Sequence, residues 1–276
     1  MKVGIIGTGS MGTILIESFL ESGVISAEKL LVANRTHAKA EALARRFPKL
    51  QVAMNATEVV KETDCFFLCV KPPQFLEVLT KINRHCTANK LLVSITSPIS
   101  VTKLEEMVDC KVARAIPSIL NRAHTGPSLL SFGTRCSQKE KELLYSLMGA
   151  ISNPLIIEEN ITRVASDIVS CGPAFFSYIM QRFIEAAERQ TQISKEDATR
   201  LATDMLIGMG RLLEKEVYSL PTLQKRVCVP GGITGEGIKV LEEEIGSMFD
   251  HLFQQTHLKY DEEKEKILAQ LSNKPT

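Results

Sequence analysis

The chain carries almost no charge excess: Lys plus Arg is 33 and Asp plus Glu is 32, a formal net charge of +1 over 276 residues. That balance gives no electrostatic case for a nucleic-acid partner or an anionic membrane surface. There is no stretch of about 18 apolar residues to span a bilayer. A clean apolar secretion signal is missing too, because Gly7, Thr8, Gly9, Ser10 and then Glu17 interrupt the run that follows Lys2. The seven cysteines, at 65, 69, 86, 110, 136, 171 and 228, are odd in number and have no paired CxxC spacing. This excludes a disulfide framework and a zinc site, and leads to the expectation of reduced thiols in a cytoplasmic protein with no metal. No internal repeat or low-complexity linker divides the chain.

What is present begins at the amino terminus, in KVGIIGTGSMG (2–12). Val3 to Ile6 reads as a short strand, Gly7-x-Gly9-x-x-Gly12 follows it, and Ile14, Leu15, Ser18 and Phe19 then recur on helical spacing. Strand, glycines and helix in that order are the context of a dinucleotide-binding turn. Gly7 permits the tight turn, Gly9 lets the backbone approach a pyrophosphate, and Gly12 lets helix and strand pack closely. Phosphates would then face unpaired amides at the positive end of the helix dipole. The expected cofactor contacts in this segment are Gly7, Thr8, Gly9, Ser10, Met11 and Gly12.

Short apolar runs then alternate with helical ones. Strands are expected at 30–33, 51–53, 65–70, 90–95 and 111–116, with helices at about 37–46, capped by Thr36, 74–82 and 101–108. The alternation becomes irregular over 118–135, and resumes with a helix at 139–148 and a strand at 154–157. Beyond Ile161 the signal is almost purely helical, at 161–169, 173–189, 194–218, 222–227 and 234–257, with a charged last helix fraying at Asn273-Lys274-Pro275. The expected fold is α/β: a Rossmann-type doubly wound parallel sheet over 1–158, followed by an all-helical domain over 159–276.

Where an NAD-binding turn places an acidic residue after its second strand, this chain has Asn34-Arg35-Thr36, with His37 and Lys39 adding positive potential. A guanidinium and a hydroxyl suit a 2′-phosphate, so NADP(H) is the expected cofactor. Asn55, after the third strand, would reach the same phosphate. Val70, Lys71 and Pro72, at the carboxyl end of the fourth, would border the nicotinamide. In the helical half, Ser170-Cys171-Gly172-Pro173 and Val229-Pro230-Gly231-Gly232-Ile233-Thr234 each put Gly and Pro at an expected helix start, where backbone amides would face a small anion.

Taken together, GTGSMG (7–12), NRT (34–36), VKP (70–72), SI (94–95), CGPAF (171–175), LPTLQKRV (220–227) and PGGITGEGI (230–238) resemble the pyrroline-5-carboxylate reductase family across nearly the whole chain. Within it, TRVASDIVSCGPAFF (162–176) and VCVPGGITGEGIKVLE (227–242) are most similar to the homologue associated with competence genes of bacilli. The resemblance implies NADPH-dependent reduction of the cyclic imine 1-pyrroline-5-carboxylate to L-proline. It also implies a homodimer through the helical domain, or a higher oligomer built from it. By resemblance Thr234 is the hydroxyl beside the ring nitrogen, orienting the imine and assisting its protonation together with water, since a threonine is too weak an acid to act alone. Gly231 and Gly232 hold the carboxylate through their amides, with Val229 and Cys171 beside the substrate.

The chain also departs from the family pattern. Val229 stands where the family has Ser before PGG, which removes a hydroxyl donor. Ile116-Pro117-Ser118 replaces Met-Pro-Asn, Thr96-Ser97-Pro98 replaces an Ala-Gly, and Val169, Ser170 and Cys171 replace a serine and glycines. These changes fall mostly on the substrate side. Two alternatives follow, a reductase of a different cyclic imine and a catalytically silent NADP(H)-binding regulator linked to competence. A Cys171 thiol at a helix start would have a lowered pKa, although imine reduction needs no covalent step.

Overall fold

The computed structural model describes residues 1–272. Two compact units emerge: Met1–Pro173 together with the chain from Thr256 onward, and Ala174–Gln255. The boundary expected at residue 158 falls inside the first unit, because the segment after it packs on the sheet and the end of the last helix belongs to the same unit.

The first unit holds strands β1 (Val3–Ile6), β2 (Leu30–Ala33), β3 (Gln51–Val52), β4 (Cys65–Leu68), β5 (Leu91–Ser94), β6 (Lys111–Ile116), β7 (Pro127–Phe132) and β8 (Asn153–Ile156). They form one sheet in the order β3-β2-β1-β4-β5-β6-β7-β8. The pairs are parallel except β6 with β7, which is antiparallel, so the sheet is parallel-dominated rather than wholly parallel. Strand β7 lies in the stretch that reads as irregular in sequence. Its Ser128 and Ser131 are buried, satisfied by Ser152 Oγ at 2.7 Å and the Ile157 carbonyl at 3.2 Å.

The helices of this unit are α1 (Ser10–Glu21), α2 (His37–Arg46), α3 (Ala56–Glu62), α4 (Pro72–Ile82), α5 (Val101–Glu105), α6 (Gln138–Gly149) and α7 (Thr162–Ser166). Alternation along the strands gives two cores. Ile5, Phe67 and Val93 pack with Leu15, Phe19 and Leu144 on one side of the sheet. Ile6, Phe66, Leu68 and Leu92 pack with Phe75, Leu79 and Leu104 on the other. The Phe19 and Phe67 rings lie 5.5 Å apart. Each buried side chain of this size contributes about 1.5–3 kcal/mol, which fixes the strand ends where the chain turns. Helix α4 starts at Pro72, two residues before its expected start, since a first-turn position needs no intrahelical N–H.

After α7 the chain makes a π turn, Asp167–Cys171, and continues directly into α8 (Gly172–Gln190). Then come α9 (Lys195–Glu214), α10 (Leu220–Val227), α11 (Ile233–Ile245) and α12 (Met248–Ser272). Ser194 caps α9 by accepting from the Asp197 amide at 3.0 Å, as its position predicts. The single helix expected over 234–257 is broken instead at Gly246, whose φ of +41° few residues but glycine adopt. The fraying expected at Asn273-Lys274-Pro275 lies outside the described residues.

Within the second unit, Ile184, Ala198 and Ala202 make a small core with Met180 and Ile193. Phe176, Phe183, Leu201 and Met205 stay exposed. An apolar surface of this kind on amphipathic helices marks a site of association. No described helix is long and apolar enough to cross a membrane.

Candidate functional site

The amino-terminal turn has the geometry its glycines imply. Gly7 has φ +102°, and its amide donates to the Ala33 carbonyl at 2.8 Å. A Cβ on Gly7 would lie 2.5 Å from the Cys69 carbonyl oxygen, and one on Gly12 would collide with the Gly7 carbonyl. Both positions are therefore dictated by packing within the chain. Gly9 differs: it precedes α1 as its cap residue, and a Cβ there would meet nothing within 4 Å. Space is kept clear in front of the α1 amino terminus, where first-turn amides have no intrahelical partner. Beside it the Thr8 hydroxyl is buried with no partner among the described residues. An open approach, unpaired amides and an orphan hydroxyl fit a dinucleotide pyrophosphate. Ser10 and Met11 form the first turn of α1.

Asn34 joins this turn to the end of β2. Its Oδ1 accepts from the Thr8 amide at 3.0 Å and its Nδ2 donates to the Thr36 carbonyl at 3.0 Å. Asn34 thus works as scaffold, with both ends of its side-chain amide engaged. Arg35 and Thr36 are exposed. The Glu77 carboxyl of α4 is held below its ordinary range, first by Lys81 and in lesser part by Arg35. Thr36 caps α2 by position, without a side-chain bond. Asn55 is exposed and its Oδ1 caps α3, accepting from the Glu58 amide at 3.0 Å, so its carbonyl oxygen is committed within the chain. Val70 adjoins Gly7, and Lys71 is the exposed cap residue of α4, followed by Pro72 at its first position. Gly7 to Gly12, Asn34 to Thr36 and Val70 to Pro72 are thus gathered at the carboxyl ends of β1, β2 and β4, where an open α/β sheet binds its ligand.

The segment around Cys171 differs from expectation. It is no helix start: the Gly172 amide bonds back to the Asp167 carbonyl, and helix continues on both sides. No cradle of free amides forms there, since the π bonding pattern uses the backbone groups that a helix terminus would expose. Burial, partly offset by Arg163, pushes the Cys171 thiol up, opposite to the shift a reactive thiolate needs. The Arg163 guanidinium lies 3.7 Å from its sulfur.

Two departures from the family pattern are partners here. Ser118 is fully buried and donates to the Val169 carbonyl at 2.8 Å, while Ser170 donates to the Pro117 carbonyl at 3.0 Å. These two bonds tie the end of β6 to the π turn.

In the second unit, Val229 to Thr234 form an exposed turn into α11. Gly231 has φ +71°. The Gly232 amide donates to the Val229 carbonyl at 2.9 Å, closing the turn. Of the two glycine amides expected to face a carboxylate, Gly232's is therefore committed within the chain, and no bond to Gly231's is found among the described residues. Thr234 is exposed in the first turn of α11 and Val229 is 59% exposed.

Sequence reasoning missed a polar cluster of the first unit, in which Arg114 and Asp167 are buried and Arg163 and Tyr260 half-buried. The i, i+4 spacing of Arg163 and Asp167 was a usable signal; the other two carry none.

Comparison with known proteins supplies the remaining findings. Residues 159–263 match the family described as pyrroline-5-carboxylate reductase dimerisation. Residues 2–98 match the one described as NADP oxidoreductase coenzyme F420-dependent. The chain is 51% identical to ComE operon protein 4 of Bacillus subtilis (strain 168), over 95% of this chain and 96% of that protein. It is 29% identical to pyrroline-5-carboxylate reductase 3 of the same organism, over 94% and 96%. In fold it is similar to the pyrroline carboxylate reductase of Plasmodium falciparum solved with NADP bound, with TM-score 0.81 at 23% identity, covering 98% of this chain and 97% of that one. The pyrroline-5-carboxylate reductase of Coxiella burnetii gives TM-score 0.83 at 22% identity, covering 96% and 98%.

Proposed function

The chain belongs to the pyrroline-5-carboxylate reductase family, and from that premise we propose that it reduces 1-pyrroline-5-carboxylate to L-proline. It is an NAD(P)-dependent oxidoreductase, and its cofactor is NADP(H). The observation that carries the reading is the space kept clear at Gly9 before the α1 amino terminus, with the orphan Thr8 hydroxyl beside it.

When bound, the cofactor supplies the hydride for the C=N carbon. The chain's own residues bind and orient. The first-turn amides of α1 and the Thr8 hydroxyl would hold the pyrophosphate, Ser10 and Met11 would flank it, and Arg35, with Thr36 and the Asn55 amino group, would take the 2′-phosphate. Val70 to Pro72 would border the nicotinamide. Thr234 would hydrogen-bond the ring nitrogen and assist its protonation through water, since a threonine is too weak an acid to act alone. The Gly231 amide and the first amides of α11 would hold the carboxylate. The exposed apolar faces of the second unit are read as the surface that pairs two copies into a homodimer, in keeping with the match to a dimerisation domain.

The test is NADPH oxidation by purified protein given pyrroline-5-carboxylate, with Thr234→Ala markedly slower. Turnover no faster than background would sink the proposal. A second reading, a cyclic imine other than pyrroline-5-carboxylate, is favoured by Val229, which leaves the turn short of one hydroxyl donor. A panel of imines that differ in ring size and carboxylate separates the two. Tight NADPH binding without turnover on any imine would instead favour a regulator.

A further inference from the structure

A polar network in the first unit uses none of the residues assigned to the two turns. Arg114, on β6, is 2% exposed. It donates to Thr162 Oγ1 at 2.7 Å and to the Ser97 carbonyl oxygen at 3.4 Å, and its Nη2 stands 3.1 Å from Glu159 Oε1. A second branch starts at Asp167, whose side chain is wholly buried. Asp167 accepts from Arg163 at 3.1 and 2.5 Å and from the Thr256 hydroxyl at 2.9 Å. The Arg163 guanidinium lies over the Tyr260 ring, 5.4 Å from its centre. Tyr260 in turn donates its hydroxyl to the Ser97 carbonyl at 3.0 Å. Burial pushes the Tyr260 phenol up, which keeps it a donor. The two branches therefore meet on one atom, the carbonyl oxygen of Ser97.

Ser97 belongs to the loop between β5 and α5. Strand β5 pairs in parallel with β4, with Ser94 opposite Leu68, so this loop leaves the sheet beside the segment Cys69 to Lys71. The turn at Asn34 to Thr36, on the β2 side, has the charge for the adenosine 2′-phosphate. The ends of β4 and β5, on the other side of the switch between β1 and β4, are left for the nicotinamide half. At this loop the chain has Thr96-Ser97-Pro98, and a carbonyl bound by two donors fixes its path.

From this arrangement we infer that Tyr260, with Arg114, is a positioning residue that holds the Thr96 to Ile99 loop as a wall of the nicotinamide half of the cofactor crevice. The inference rests on the NADP(H) reading above. Tyr260 acts through Ser97, to whose carbonyl its hydroxyl donates. Its ring is held by Arg163 whether or not the hydroxyl is present, and Ile267 packs the same helix into the core independently.

The test is Tyr260→Phe, which keeps the ring and its stack and removes one hydrogen bond. Binding of NADPH is measured by its fluorescence. Binding of adenosine 2′,5′-bisphosphate, which carries only the adenine half, is measured by calorimetry. The expected result is NADPH affinity weakened about three- to tenfold, the range for one neutral hydrogen bond, with bisphosphate affinity unchanged. Unchanged NADPH binding would overturn the inference. An equal loss for both ligands would overturn it too, because it would make Tyr260 a general support of the unit. Wild-type protein that binds neither ligand would defeat the cofactor reading itself, and the positioning role with it.

Discussion

Two glycine-rich turns open helices in this chain, and they differ in what enforces them. In the turn before α1, Gly7 and Gly12 are required by neighbouring backbone of the same chain. In the turn before α11, a Cβ at Gly231 would meet nothing within 4 Å and one at Gly232 would meet only Val229. Ile233, directly after it, is 93% exposed. The first turn is complete within its own unit, with one opening at Gly9. The second is fixed by little beyond its own backbone.

The comparison predicts where substitutions act, and five experiments would break or sharpen it. The largest effect is expected from Gly12→Val, whose side chain would enter the space of the Gly7 carbonyl. Stability should fall by about 1–3 kcal/mol or more, with loss of NADPH binding, read by thermal melting and fluorescence titration. A stable, fully binding variant would contradict the claim that packing dictates this turn. Thr234→Ala should leave melting and NADPH binding intact and slow turnover about ten- to a hundredfold, as expected for one lost bond to a group that gains charge in the reaction. If it melts early instead, the second turn is structural after all.

Arg35→Ala should lower the preference for NADPH over NADH by about tenfold, measured as the ratio of kcat/KM for the two cofactors. An unchanged ratio would place the 2′-phosphate elsewhere. Val229→Ser restores the hydroxyl the family pattern has, and the KM for pyrroline-5-carboxylate should fall about three- to tenfold. A rise would favour the less polar imine. Cys171→Ser should have the smallest effect, changing turnover less than about twofold, because burial pushes the thiol's pKa up and the residue lies in a continuous helix. Inactivation of wild type, but not of this variant, by a thiol reagent would refute that.

Much of the first unit was legible because its strands are short and apolar and its turns use residues with one conformational meaning. Strands β1, β2 and β6 stand where their sequences put them. Strand β7 was not legible, since its buried serines find partners in Ser152 and Ile157, more than twenty positions away. The break at Gly246 was read through because one glycine in a helical pattern is ambiguous until its φ is known. Cys171 was misread as lying at a helix start for a related reason. Gly172-Pro173 usually punctuates a helix, and only the i to i−5 bonding of the π turn carries the chain through without a break.

The glycine turn before α1, the positive charge beside it and the family are legible in the sequence alone, because each rests on a local requirement: a tight turn, an unpaired amide, a guanidinium at a strand end. Only the tertiary structure decided which polar groups are buried together. The Ser97 carbonyl draws one donor from 17 residues away and another from 163. No local pattern encodes that meeting, since a buried hydrogen bond depends on where the sheet and the last helix bring the chain, and not on the residues next to it.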